Sequence, residues 1–293
     1  MTAGAARRPV LGVLAAILYI FLWASAFVPS RVLARQSPPL TILVLRFLFA
    51  GGVVLLYSLL AKLPFPKSPR VWGQVFLLGL GGNALYLGSN YLALRHLSAG
   101  MASIIASTNP LMLALLAPYF LKEPLTPRKT IGLLLGFGGV VLAMHARAGS
   151  QTARLADVLL AGFGVLAFVL SNILFKRMKE RPHPIVLNGG QLFCAGLALI
   201  APALLLEGAP RIVWTAPVVG SLAYLVVVLS VGASMLWFWI LQHGEASRVS
   251  AFFFLTLAFG LLLAALLLGE KLVPMDAAAL VVIATGLWLA ARG

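Results

Sequence analysis

The sequence predicts an all-α polytopic membrane protein in which ten transmembrane helices form two inverted five-helix repeats. Composition is the first observation behind this: 61% of the 293 residues are hydrophobic and 10% are charged, against roughly 45–50% and 25% in soluble domains. The second is run length, because most apolar stretches reach the roughly 17–25 residues needed to cross a hydrocarbon core of about 30 Å. The third is an internal repeat. His96, Glu123 and Pro127 recur as His243, Glu270 and Pro274, each 147 positions later, and this shift aligns 96–143 with 243–290 without a gap, 14 of 48 positions being identical. Only four His and five Glu occur in the chain, so the same spacing of His, Glu and Pro twice marks a duplication.

Taken in order, span 1 covers 10–33, after Arg7 and Arg8. Its Ala24-Ser25-Ala26 has the look of a signal-peptidase site. The apolar run outlasts a signal segment, however, and its repeat partner is internal, so the span is expected to be retained. Span 2 (40–61) follows Ser37-Pro38-Pro39, carries Arg46 about seven residues in, and closes at Pro64-Phe65-Pro66; such Pro clusters end helices because the ring clashes with the preceding turn. Span 3 (71–94) is made pliable by Gly79, Gly81, Gly82 and Gly88. In span 4 (99–121), Asn109-Pro110 frees backbone carbonyls. Thr126-Pro127 then reads as an N-cap followed by Pro in the first turn of span 5 (131–144). There Gly132-x3-Gly136 has the small-residue spacing for close helix packing or, in a second reading, for a dimer. Spans 6 (155–175), 7 (185–206), 8 (216–241), 9 (249–268) and 10 (275–291) repeat the series, with Pro182-His183-Pro184 and Gly208-Ala209-Pro210 bounding span 7. Barrel strands would alternate over about ten residues, whereas these runs are continuously apolar. The repeats are 1–146 and 147–293. Each holds an odd number of spans, so the second crosses the membrane in the opposite sense.

Basic residues favour cytoplasmic loops. With the N-terminus inside, the inner segments hold fourteen Lys and Arg and the outer ones seven, which places both termini in the cytoplasm. The net charge of +15 is then a topology signal that suits anionic headgroups. Neither a soluble domain nor a nucleic-acid motif is present, so the partners expected are the lipid bilayer and a small molecule, without nucleic acid. The single Cys194 lies in span 7 and excludes an intrachain disulfide.

Inverted repeats are the common architecture of secondary transporters, with a site near the midplane between the repeats. The segment Ala93-Leu94-Arg95-His96-Leu97-Ser98-Ala99-Gly100 and the span endings Leu121-Lys122-Glu123-Pro124-Leu125 and Leu268-Gly269-Glu270-Lys271-Leu272 resemble the EamA-type branch of the drug/metabolite transporter superfamily. Within it the chain is most similar to bacterial amino-acid exporters, including those for aromatic amino acids. The resemblance implies a ten-helix basket around a central cavity lined by spans 1, 3, 4, 6, 8 and 9, with spans 5 and 10 supporting it. It implies export across the cytoplasmic (inner) membrane of a bacterium; with the span 5 glycines read first as internal packing, a monomer is expected rather than a homodimer. A multidrug or toxic-compound exporter of the same superfamily is the alternative, and a membrane-embedded enzyme a more distant one.

All seven acidic residues lie in loops or at span ends. That disfavours a cation exporter and a buried proton relay. A phosphate carrier would need several buried cations, and Arg46 is the one clearly within a span; it has three readings, snorkelling, bonding to backbone carbonyls, or meeting a carboxylate. What remains inside is neutral polar or aromatic. The candidate substrate contacts are Trp23 and Ser25 in span 1; Asn83, Tyr86 and Asn90, spaced for one helix face, in span 3; Ser103, Ser107 and Asn109 in span 4; Ser171 and Asn172 in span 6; Ser234 and Trp237, with Ser230 nearby, in span 8; and Phe253, within Phe252-Phe253-Phe254, in span 9. Each alone also reads as an ordinary packing residue. Together, amides and hydroxyls suit a zwitterion, and aromatics suit an apolar side chain. His96, Pro110 and His243 are gating or hinge candidates, the histidines also reading as interfacial anchors. Glu123 and Glu270 read as turn elements. Neither a nucleophile–base pair nor a ligand cluster at metal spacing is apparent, so no enzymatic activity, cofactor or metal is expected.

Overall fold

A computed structural model describes residues 3–122, 126–147, 154–209, 211–242 and 255–292. Its helices make ten rods, numbered here α1 to α10. Rod α1 runs Ala3–Ser25 and resumes as Phe27–Gln36, and α2 is Pro39–Leu60. Rod α3 is composite: Pro69–Gly79, a π-helical segment Leu80–Leu85, then Tyr86–Ala93. Rod α4 is split into Ala99–Ala106 and Asn109–Phe120. Then come α5 (Pro127–Arg147), α6 (Leu155–Arg177) and α7 (Pro184–Glu207). Rod α8 is again composite, Ala216–Tyr224, a π segment Leu225–Ala233, and Ser234–Gln242; α9 (Leu255–Leu268) and α10 (Pro274–Arg292) complete the chain. Among the described residues, six stretches are long and apolar enough to cross a membrane, and those in α9 and α10 are shorter apolar helices.

The two breaks have one cause. Proline has no N–H to give to the carbonyl four residues back, and its ring clashes with it. Pro29 therefore ends the first part of α1 at Ser25, and Pro110 ends the first part of α4 at Ala106. The bend expected at Pro110 thus falls one turn earlier, at Ser107-Thr108, where both hydroxyls fold back onto carbonyls of the preceding turn, Ile104 and Ile105, at 2.6 Å each.

The rods pack in pairs that a two-fold relation between the halves exchanges. Rod α2 lies along its counterpart α7, and α5 along α10; α3 against α6 is matched by α8 against α1, and α4 against α6 by α9 against α1. Close approach is set by glycine. A Cβ on Gly51 would lie 2.5 Å from the Phe193 nitrogen, and one on Gly286 would lie 2.5 Å from the Gly136 nitrogen and 2.6 Å from the Gly132 oxygen. Gly132-x3-Gly136 is therefore used within the chain, as the seat of α10. The helix ends repeat as well. Lys62 and Lys122 adopt φ of 53° and 57°, and at the equivalent ends of α7 and α9 stand Gly208 and Gly269 at 71° and 65°.

One apolar cluster gathers mainly α1, α2, α7 and α8, and another gathers α4, α5, α6, α9 and α10, with α3 contributing to both. Trp23 and Leu87 touch both clusters and so mark the middle. Large apolar side chains such as Phe49, Leu134 and Leu205 are exposed on α2, α5 and α7. In water that belt would be a liability; against lipid it is the expected surface.

Candidate functional site

The site is built where the third rods of the two halves meet the first rods. Five aromatic rings form a string across the molecule. Trp237 of α8 stacks on Tyr19 of α1 with centroids 5.0 Å apart, and Tyr19 lies 6.2 Å from Trp23. Trp23 lies 6.1 Å from Phe168 of α6, which lies 4.8 Å from Tyr86 of α3. The order of rods, α8, α1, α6, α3, reads the same from either end under the two-fold exchange of halves, and the Trp23–Phe168 contact crosses its centre. Three of the five rings, Trp23, Tyr86 and Trp237, are among the sequence candidates. Tyr19 and Phe168 are not, because nothing in their local sequence separates them from other aromatic residues in apolar spans.

Polar groups flank the string. Asn90, 3% exposed, donates weakly to the Tyr86 carbonyl at 3.4 Å, and its side-chain oxygen has no hydrogen-bond partner among the described residues. A buried acceptor without a donor is unfavourable. Ser25 bonds Tyr224 of α8 at 2.6 Å and donates to the Leu22 carbonyl at 2.7 Å. Ser234 donates to the Ser230 carbonyl at 3.0 Å, its hydroxyl oxygen lies 3.4 Å from the side-chain oxygen of Asn188 of α7, and Asn188 donates to the Ser230 carbonyl at 3.3 Å. Asn188 escapes the sequence reading because α7 is outside the rods expected to line the cavity.

The π segments place two of these groups. Shifting Asn83 by 147 gives Ser230, and each sits inside the π segment of its half. Such segments widen the turn and are frequent at functional sites. The Ser171 hydroxyl donates to the Leu78 carbonyl at 3.2 Å, and Ser171 packs where a Cβ on Gly81 or Gly82 would stand, so it seats α6 against the π segment of α3. Asn83, Asn109, Pro110 and Asn172 are half-buried. Ser103 is fully buried, donates to the Gly100 carbonyl at 2.8 Å and fills the space above Gly260 of α9, and Ser107 is buried at the break in α4. Phe253 and His243 lie outside the described residues, as does Glu123.

Arg46 is 7% exposed, so it does not snorkel. Its Nε and Nη2 lie 3.4 Å from Ser230 Oγ, and its Nη1 lies 3.4 Å from the Tyr91 hydroxyl.

At one end of these rods, charged side chains tie neighbouring helix ends together. Glu270, just past α9, accepts from the backbone nitrogens of Ala99 and Gly100 at 2.7 and 3.1 Å, capping α4 beside Ser98. Arg31 of α1 lies 3.5 Å from Glu270 and donates to the Leu94 carbonyl at 3.2 Å. Glu207, ending α7, does the same for α2, accepting from Leu40 and Thr41 nitrogens at 2.7 and 2.8 Å and from the Thr41 hydroxyl at 2.8 Å. Each carboxylate caps the helix equivalent to the one it follows. His96 meets Asp157 of α6 at 3.2 Å, a partner in the other half that its sequence neighbours do not announce.

The family model for EamA-like transporters matches residues 10–144 and again 156–292. The chain belongs to the EamA-like transporter family. The transporter is 29% identical to an uncharacterized transporter of Synechocystis, with 86% of this chain and 81% of the relative covered. It is 27% identical to a Salmonella typhimurium protein named probable amino-acid metabolite efflux pump, with 94% and 92% covered. One solved crystal structure matches over 96% of each chain with a TM-score of 0.67 at 21% identity, which bears on the fold alone. In this transporter, no group of three His, Cys, Asp or Glu suited to a metal ion occurs among the described residues. Among the described residues, this region brings together aromatic faces, amides, hydroxyls and the Arg46 guanidinium.

Proposed function

We propose that the protein is a secondary transporter that exports small neutral or aromatic amino acids and related metabolites across the cytoplasmic membrane of a bacterium by alternating access. Both termini face the cytoplasm in this reading, as the excess of basic residues on that side requires, and the two repeats, 1–146 and 147–293, stand inverted about the site. The observation that carries it is the string of five rings joining the first and third rods of both halves, edged by amides and hydroxyls, with no carboxylate bonded to those edging groups among the described residues. Aromatic faces hold an apolar side chain and attract an ammonium group. Neutral donors and acceptors suit a zwitterion better than a lone cation, which a cation carrier would meet with a buried acid. Among the sequence candidates, Trp23, Tyr86, Asn90, Ser234 and Trp237 are the contacts that this arrangement favours. The relative named for amino-acid metabolite efflux supports the same substrate class.

Purified protein in proteoliposomes, offered labelled phenylalanine, threonine and a cationic dye, tests the proposal. Saturable counterflow of amino acid and none of dye is expected. Dye transport without amino-acid transport would transfer the protein to the multidrug reading.

A further inference from the structure

Resting on the amino-acid reading, we propose that Arg46, presented by Ser230 and Tyr91, is the seat of the substrate's carboxylate. A guanidinium has five N–H donors in a fixed fork and keeps its proton under all ordinary conditions. Here it is buried between α2, α3 and α8, seven residues into α2, and among the described residues no carboxylate forms an ion pair with it. Its three hydrogen bonds are all 3.4 Å long, beyond the usual 2.7–3.2 Å for N–H···O. Its guanidinium carbon also lies 5.6 Å from the centre of the Phe47 ring. Burying a charge with so little compensation is costly, and the cost is offset when an anion arrives. A carboxylate meets the fork with two parallel hydrogen bonds.

The surroundings are built for exchange of partners. Ser230 and Tyr91 contribute neutral hydroxyls, which compete weakly for the guanidinium. Ser230 sits in the π segment of α8, its carbonyl already held by Asn188 and Ser234, so the hydroxyl alone is committed to Arg46. On α3, Tyr91 follows Asn90, whose side-chain oxygen lacks a donor among the described residues; an ammonium would supply one. The repeat also separates Arg46 from structural use. The likeness of Arg46-x3-Ala50-Gly51 to Gln191-x3-Ala195-Gly196 puts a neutral Gln191 at the equivalent place on α7, so close packing of α2 on α7 does not require a cation there.

Quenching of intrinsic tryptophan fluorescence on purified protein tests this with three probes: phenylalanine, 3-phenylpropionate (carboxylate without ammonium) and phenethylamine (ammonium without carboxylate). Phenylpropionate is expected to bind about tenfold or more tightly than phenethylamine, the worth of one charge-assisted hydrogen bond. Arg46→Gln is expected to remove that preference and leave phenethylamine unchanged, and Arg46→Lys to restore part of it. Equal binding of the two single-charge probes by the unaltered protein overturns the proposal, and this comparison does not depend on a variant folding. Arg46→Gln with unchanged phenylpropionate affinity and native helical content overturns it too. If phenylpropionate binds through Arg46 while no amino acid is transported, the carboxylate seat stands and the amino-acid reading falls; if phenylalanine is transported equally by Arg46→Gln, the seat falls and the amino-acid reading stands.

Discussion

Glu270 shows how a single side chain carries a fold-level job. In sequence it is half of a recurring Glu and reads as part of a turn. In the structure its carboxylate closes the N-terminus of α4, in the opposite half, and meets Arg31. Glu207 does the equivalent work on α2 without any repeat to advertise it. Carboxylates suit this position because the first turn leaves N–H groups unpaired and carries the positive end of the helix dipole. Glu207→Ala is expected to cost about 2 kcal/mol, and Glu207→Gln, which keeps one acceptor oxygen, about half of that, read as thermal midpoints by circular dichroism in detergent; an unshifted midpoint for Glu207→Ala would refute the cap. At the site, Trp237→Ala removes the ring stacked on Tyr19. Its KM for phenylalanine is expected to rise about tenfold, and that for threonine far less; equal effects on both would deny the ring a role in selectivity. Polar and aromatic residue types within several spans were legible in the sequence. Their partners were not: Tyr19, Tyr91, Asn188 and Tyr224 acquire meaning from rods that meet only after folding.

At the scale of elements, hydrophobic run length placed all ten rods, because the bilayer demands it. Proline chemistry announced the break in α4, displaced by the four-residue reach of the ring to Ser107-Thr108. The π segments were not announced. Gly79, Gly81 and Gly82 hinted at one, but Leu225–Ala233 is an ordinary apolar stretch, and a change of hydrogen-bond register leaves no mark in residue type. Packing of α5 on α10 rests on Gly286, so Gly286→Ala is expected to lower stability by about 1–3 kcal/mol; a neutral outcome would mean that the two rods are not held at that distance. Lys122 occupies a left-handed position filled by glycine in the other half. Lys122→Gly is therefore expected to leave stability unchanged or raise it by up to about 1 kcal/mol, the relief of a side chain at positive φ set against the extra backbone freedom of glycine. A marked fall in the thermal midpoint would contradict this.

For the whole molecule, duplication does more than double the chain. It supplies two sets of first and third rods that meet along a shared string of aromatic rings, while residues at equivalent positions in and beside that string differ between halves, Asn90 against Trp237 and Asn83 against Ser230. A symmetric frame can rock; an asymmetric lining can hold an asymmetric substrate. The Arg31–Glu270 pair ties α1 to the loop after α9 and, through Ala99 and Gly100, to the start of α4. For the site to open at that end, this tie has to part. The direct measurement places cysteines at positions 31 and 270 in a Cys194→Ser background, since Cys194 is a free cysteine. Counterflow of labelled phenylalanine is then followed in proteoliposomes before and after cross-linking with a short, reducible reagent. Alternating access predicts that the cross-link lowers counterflow to the level of empty liposomes and that reduction restores it. Counterflow at the uncross-linked rate with the link intact would contradict the account.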